Sequence, residues 1–116
     1  MDTASMIFRS HALNTCVDGS IKNLKSRLGA PYGVVFRLFL ETGLAQLRHG
    51  TPLPDAVNEG AMPLRAVHIR VDTDEELRVL AFQLRLPRDE LVARLLLLGM
   101  AIVDATMSGG ASSESK

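Results

Sequence analysis

Apolar and polar positions run at two rhythms along this chain, and the second half shows both most cleanly. Val67-His68-Ile69-Arg70-Val71 alternates at every residue, the pattern of a strand with one buried face. Leu77, Leu80, Ala81 and Leu84 then recur at helical spacing, and Pro87 breaks the run. Leu91, Leu95, Leu98 and Ile102 mark a second, more apolar helix, widened by Val92, Leu96, Leu97 and Met100. Thr73 or Asp74 is expected to cap the first of these helices, with Glu75 and Glu76 near its positive end.

The first half repeats that order more faintly. Ile7 to Val17 is weakly strand-like, with Leu13, Thr15 and Val17 alternating against Ala12, Asn14 and Cys16. Asp18 is expected to cap a helix beginning near Gly19, with Ile21, Leu24 and Leu28 as its stripe. Gly29-Ala30-Pro31 ends it, since Gly suits a C-terminal cap and Pro a new first turn. Val34, Val35, Leu38, Phe39 and Thr42 continue as a buried helix to about Arg48.

The two halves align without gaps at an interval of fifty-six residues. Leu24 matches Leu80, Leu28 Leu84, Pro31 Pro87, Leu40 Leu96, Gly43 Gly99 and Ala45 Ala101. A lone strand–helix–helix cannot bury its own apolar faces, whereas two copies bury them against each other. The expected organisation is a first repeat over 7–48, a linker over 49–64, a second repeat over 65–107 and a disordered polar tail over 108–116. The linker carries Gly50, Pro52, Pro54, Gly60 and Pro63, with room for a helical turn around Asp55 to Glu59.

Composition narrows the chemistry. The chain has 116 residues, 47% of them hydrophobic, enough for one core. The single cysteine, Cys16, excludes an internal disulfide and is read as a half-buried packing residue. His11, His49 and His68 lack ligand spacing, and no phosphate loop, nucleophile elbow or hydride-transfer fingerprint is present. An enzyme, a metal centre and a cofactor are therefore not expected. No apolar run reaches membrane-span length and the N-terminus lacks a secretory pattern, so a soluble cytoplasmic protein is the expectation. The net charge is zero, but the first half is basic while acids concentrate in the linker and the second half.

Val67 to Val103, with Arg88-Asp89-Glu90-Leu91 and Leu98-Gly99-Met100-Ala101, resembles the ribbon-helix-helix DNA-binding family of the Arc/MetJ type. Residues 10 to 47 resemble it through Leu24, Leu28 and Phe39-Leu40-Glu41-Thr42-Gly43-Leu44-Ala45. The resemblance implies a mostly α fold with a two-stranded antiparallel β-ribbon. Here it would be a tandem ribbon-helix-helix folded as an intramolecular pseudo-dimer, similar to single-chain accessory proteins of conjugation relaxosomes. It also implies sequence-specific binding of double-stranded DNA by the ribbon in the major groove. The role would be that of a repressor or a plasmid-transfer accessory protein that assists a relaxase. Such a monomer is free to associate further on DNA.

On that resemblance the base-contacting positions are Ser10, Ala12 and Asn14 on one strand and Ala66, His68 and Arg70 on the other. Phosphates would meet Tyr32, Gly33 and Arg88 at the starts of the second helices, and Arg9 and Arg65 beside the strands. Neither helix start has a Ser or Thr cap, and Asp89 would repel a phosphate. Outside such a fold, Arg70 and His68 would be ordinary solvated side chains. The competing reading is a protein-interaction module, an antitoxin-like partner binder with a degenerate ribbon-helix-helix fold.

Overall fold

The structure is a computed structural model, and it describes residues 6–55 and 63–114. Among the described residues the chain is mostly helical, with four helices and one two-stranded antiparallel sheet. Strand β1 (Met6–Ala12) is followed by α1 (Thr15–Leu28) and α2 (Tyr32–Arg48). Strand β2 (Leu64–Arg70) is followed by α3 (Val71–Leu84) and α4 (Arg88–Glu114).

The two strands are far apart in sequence but adjacent in space. They pair antiparallel from Met6 opposite Arg70 to Ala12 opposite Leu64. The Leu13 amide donates to the Pro63 carbonyl and carries the ladder one step further. Ser10 faces Ala66, and these two positions are also fifty-six apart. Pairing fixes which residues share a face, because directly opposed residues project to the same side. Val67, Ile69 and His11 are buried beneath the ribbon, whereas Phe8, Ser10, Leu64, Ala66, His68 and Arg70 are exposed above it. The Val67 and Ile69 side chains contribute roughly 1.5–3 kcal/mol each by burial.

Beneath the ribbon, Phe36, Leu40 and Leu44 of α2 meet Leu91, Leu95 and Leu96 of α4, with Leu13, Val17, Ile21 and Leu77 completing the core. The α2–α4 crossing is close because each helix presents a glycine to the other's backbone. A Cβ on Gly43 would lie 2.2 Å from the Leu95 carbonyl oxygen. A Cβ on Gly99 would lie 1.9 Å from the Phe39 carbonyl oxygen. Gly43 and Gly99, like Phe39 and Leu95, stand one repeat interval apart, so the two contacts are counterparts.

Several boundaries differ from expectation. The first strand stops at Ala12, because Asn14 rather than Asp18 caps α1; its side-chain oxygen accepts from the Val17 amide at 2.8 Å. Thr15, Cys16 and Val17 are thus helical, Cys16 is exposed, and Asp18 lies buried in the first turn. Helix α3 starts at Val71, which is exposed rather than the last inward strand residue; its N-cap is Arg70, with no side-chain cap bond. Leu28 and Leu84, matched in the repeat, are both largely exposed, as are Val34 and Leu38. Helix α4 continues to Glu114, so residues 108–114 are helical where their Gly/Ser content predicts disorder; propagating a formed helix costs far less than nucleating one. The helical turn expected around Asp55 to Glu59 falls mostly outside the described residues. No helix among the described residues is long and apolar enough to cross a membrane.

Candidate functional site

The outer face of the ribbon gathers most of the residues singled out from sequence. Its eight positions form four facing pairs: Met6 with Arg70, Phe8 with His68, Ser10 with Ala66, and Ala12 with Leu64. Alternation puts all eight on one side, and none is acidic. Arg70 stands at one end with its side chain 57% exposed, 3.8 Å from the solvated carboxylate of Asp72. The rings of Phe8 and His68 lie 4.5 Å apart at 45°, one strand against the other. Arg37 of α2 donates to the His68 carbonyl at 2.9 Å and so occupies an acceptor on the open edge of β2.

Five of the six expected base-contacting residues share this face: Ser10, Ala12, Ala66, His68 and Arg70. Asn14 does not. It is buried as the N-cap of α1, so its amide oxygen is already engaged with backbone. Sequence reasoning also missed the largest groups here. Phe8 is 57% and Leu64 70% exposed, and they are counterparts in the repeat. Stepping back two residues from Ser10 and from Ala66 would have located both.

The expected phosphate contacts are held elsewhere. Arg65 donates through Nε and Nη2 to the two carboxylate oxygens of Asp18, each at 2.8 Å, and the Tyr32 hydroxyl donates to Asp18 at 2.6 Å. Arg9 donates to Asp74 at 3.2 and 3.4 Å, and Arg88 donates to Asp74 at 2.6 Å. Asp18 and Asp74, Arg9 and Arg65, and Tyr32 and Arg88 are each counterparts in the repeat. In both clusters the strand arginine of one half reaches the helix aspartate of the other. A charge-assisted bidentate pair is stronger than a solvated contact, so these four side chains brace the ribbon against the helices. Of the five expected phosphate contacts, Gly33 alone brings only its backbone, in the first turn of α2, where Pro31 supplies no side-chain cap.

Electrostatics follow from these partners. The Arg65 hydrogen bonds hold the Asp18 carboxyl well below the ordinary carboxylate range, against the opposing effect of burial. Burial, and then the bond to Asp18, pushes the Tyr32 phenol up. Burial alone would raise Asp74, but Arg9 and Arg88 outweigh it and the carboxyl falls. His11, fully buried and stacked 5.4 Å from Phe36, has neither ring nitrogen hydrogen-bonded; Asp89 is 3.9 Å away. Burial first, then the charge of Arg88, lowers its pKa from 6.5 to about 4.

Among the described residues no group of three or more His, Cys, Asp or Glu side chains is arranged to hold a metal ion. What the site offers is a two-stranded strip, apolar and aromatic in parts, with a cation at one end. No protein-family model, no curated protein and no solved structure matches this chain, so its reading rests on that geometry.

Proposed function

We propose that this chain is a tandem ribbon-helix-helix pseudo-dimer that binds double-stranded DNA through the outer face of its β1–β2 ribbon. One observation carries the proposal: two strands from equivalent places in the two halves pair with each other, and Ser10, His68 and Arg70 stand on the solvent side with no acid among them. The reciprocal Gly43 and Gly99 contacts and the crossed Arg65–Asp18 and Arg9–Asp74 pairs support the pseudo-dimer reading. A two-stranded ribbon has dimensions that a major groove about 12 Å wide admits. Arg70 would donate in bidentate fashion to a guanine edge, and His68 and Ser10 would make secondary polar contacts. Exposed Lys25 and Arg27 on α1 would supply cations for phosphates rather than for bases. The biological setting would be a repressor or a transfer-origin accessory protein working beside a relaxase.

The test is a band-shift against the chain's own upstream region and any neighbouring transfer origin, repeated from 50 to 200 mM salt. Binding that weakens steeply with salt, and that Arg70→Ala weakens by about 1–3 kcal/mol without lowering thermal stability, is the expected result. Failure to shift any duplex at low salt removes the proposal.

A second reading has a specific observation in its favour. Phe8 and Leu64 make the outer face more apolar than a purely electrostatic reader needs, as a protein-docking ribbon would be. Binding to a protein partner with little salt dependence, and none to DNA, would select it.

A further inference from the structure

We propose that Phe8 and Leu64 read the C5 methyl groups of two thymines, and that with a guanine contact at one end only the preferred duplex is asymmetric. This rests on the DNA-binding reading above and adds the chemistry of the site it selects.

The argument begins with placement. A Phe ring and a Leu side chain exposed on the narrow strip that would enter a groove need an apolar partner there. In the major groove the apolar group that bases present is the thymine methyl, which side chains such as Phe and Ala contact. The Phe8 ring packs against the His68 ring across the ladder, which limits the ordering required on binding. Leu64 faces only the small side chain of Ala12.

Spacing follows from the ladder. Phe8 belongs to the pair with His68 and Leu64 to the pair with Ala12, four residue steps along the ribbon. At about 3.3 Å per step this is roughly 13 Å. With a base-pair rise of about 3.4 Å, the two methyl-bearing positions stand about four base pairs apart.

Asymmetry comes from the strand ends. Arg70 lies two steps beyond the Phe8–His68 pair, exposed beside the solvated Asp72, and would reach a base about two pairs further out. Its counterpart at the other end is Asn14, which is buried as the α1 cap and withdrawn from the face. Guanine is therefore specified beyond Phe8 and not beyond Leu64.

The experiment enriches duplexes from a random pool with the full chain. Each thymine of the enriched site is then replaced by uracil, which removes only the methyl. Two positions about four base pairs apart should each lose about fourfold in affinity, the effect of one buried methyl group. Phe8→Ala should abolish the uracil effect at one of them and leave the other, and Leu64→Ala should do the reverse. Replacing uracil there by 5-methylcytosine, paired with guanine, should restore part of the loss. Equal affinity for thymine and uracil everywhere, with Arg70→Ala still weakening binding, overturns this inference and leaves the DNA reading standing. Uracil effects that neither variant alters overturn it as well. No enrichment of any duplex overturns both.

Discussion

The two halves of the molecule solve the same packing problem with different chemistry. In the first, Asp18 is satisfied by a neutral phenol, a guanidinium and the Lys22 ammonium at 3.4 Å; in the second, Asp74 is satisfied by two guanidinium groups. The first half caps α1 with Asn14, and the second starts α3 at Arg70 without a side-chain cap. The first half turns out of its helix through Gly29 and the second through Arg85, both left-handed. Beneath the ribbon, the place Val67 holds in the second strand is taken in the first by His11. The lesson is that the shared frame lies in the ladder and the glycine crossing, while each end has been adjusted separately. Asn14 is buried as the cap of α1, whereas Arg70 stands exposed on the outer face.

The largest expected effect tests what the halves share. Gly43→Ala and Gly99→Ala each drive a methyl into the facing helix backbone, which must move apart. Each should cost more than about 3 kcal/mol by denaturant melting, above the ordinary range of overpacking. A variant that melts like the parent would show that the α2–α4 contact is not close.

Next is the pH response that only the first half contains. The folded His11 titrates near 4 and the unfolded residue near 6.5. Between those values the unfolded state holds a proton that the folded state refuses, so stability is full above about pH 6.5 and is lost as pH falls toward 4. The loss should reach about 2–3 kcal/mol. His11→Leu should flatten this stretch in chemical melts at stepped pH, whereas an unchanged slope would mean that other groups cause it.

Smaller effects separate the caps. Asn14→Ala should cost about 1 kcal/mol, while Arg70→Ala at the equivalent position should leave the melting curve unchanged. Smallest is Arg85→Gly, which gives the second half the turn residue of the first. Relief of the left-handed conformation at φ 57° should stabilise by about 0.5–1 kcal/mol, read as a raised melting temperature. A lowered one would show that the Arg85 side chain contributes contacts worth more than the strain.

Much of the frame was legible in the residues. Alternation through the second strand, the helical stripes and the fifty-six-residue interval between Gly43 and Gly99 pointed to two strand–helix–helix units sharing a core, although the alternation runs on through Val71, which starts α3. The start of α1 was not legible, because Thr15 and Val17 favour strands and only the cap formed by Asn14 decides for helix. The fate of Arg9 and Arg65 was hidden for another reason. Their carboxylate partners lie in the opposite half, and strand-to-helix contacts of that range leave no local signal. One trace was available: Arg9 and Arg65, like Asp18 and Asp74, stand one repeat apart, and charged pairs repeated together invite a common role.

The claim on which the rest depends is that the shared ribbon is the surface that meets duplex DNA. Backbone amide chemical shifts of the labelled chain, followed by NMR on adding a duplex at low salt, test it most directly. The largest changes should fall on Phe8, Ser10, Ala66, His68 and Arg70, with the amides of α4 beyond Leu91 little affected. Changes centred on the helices with the ribbon silent, or no changes at all, would contradict the account.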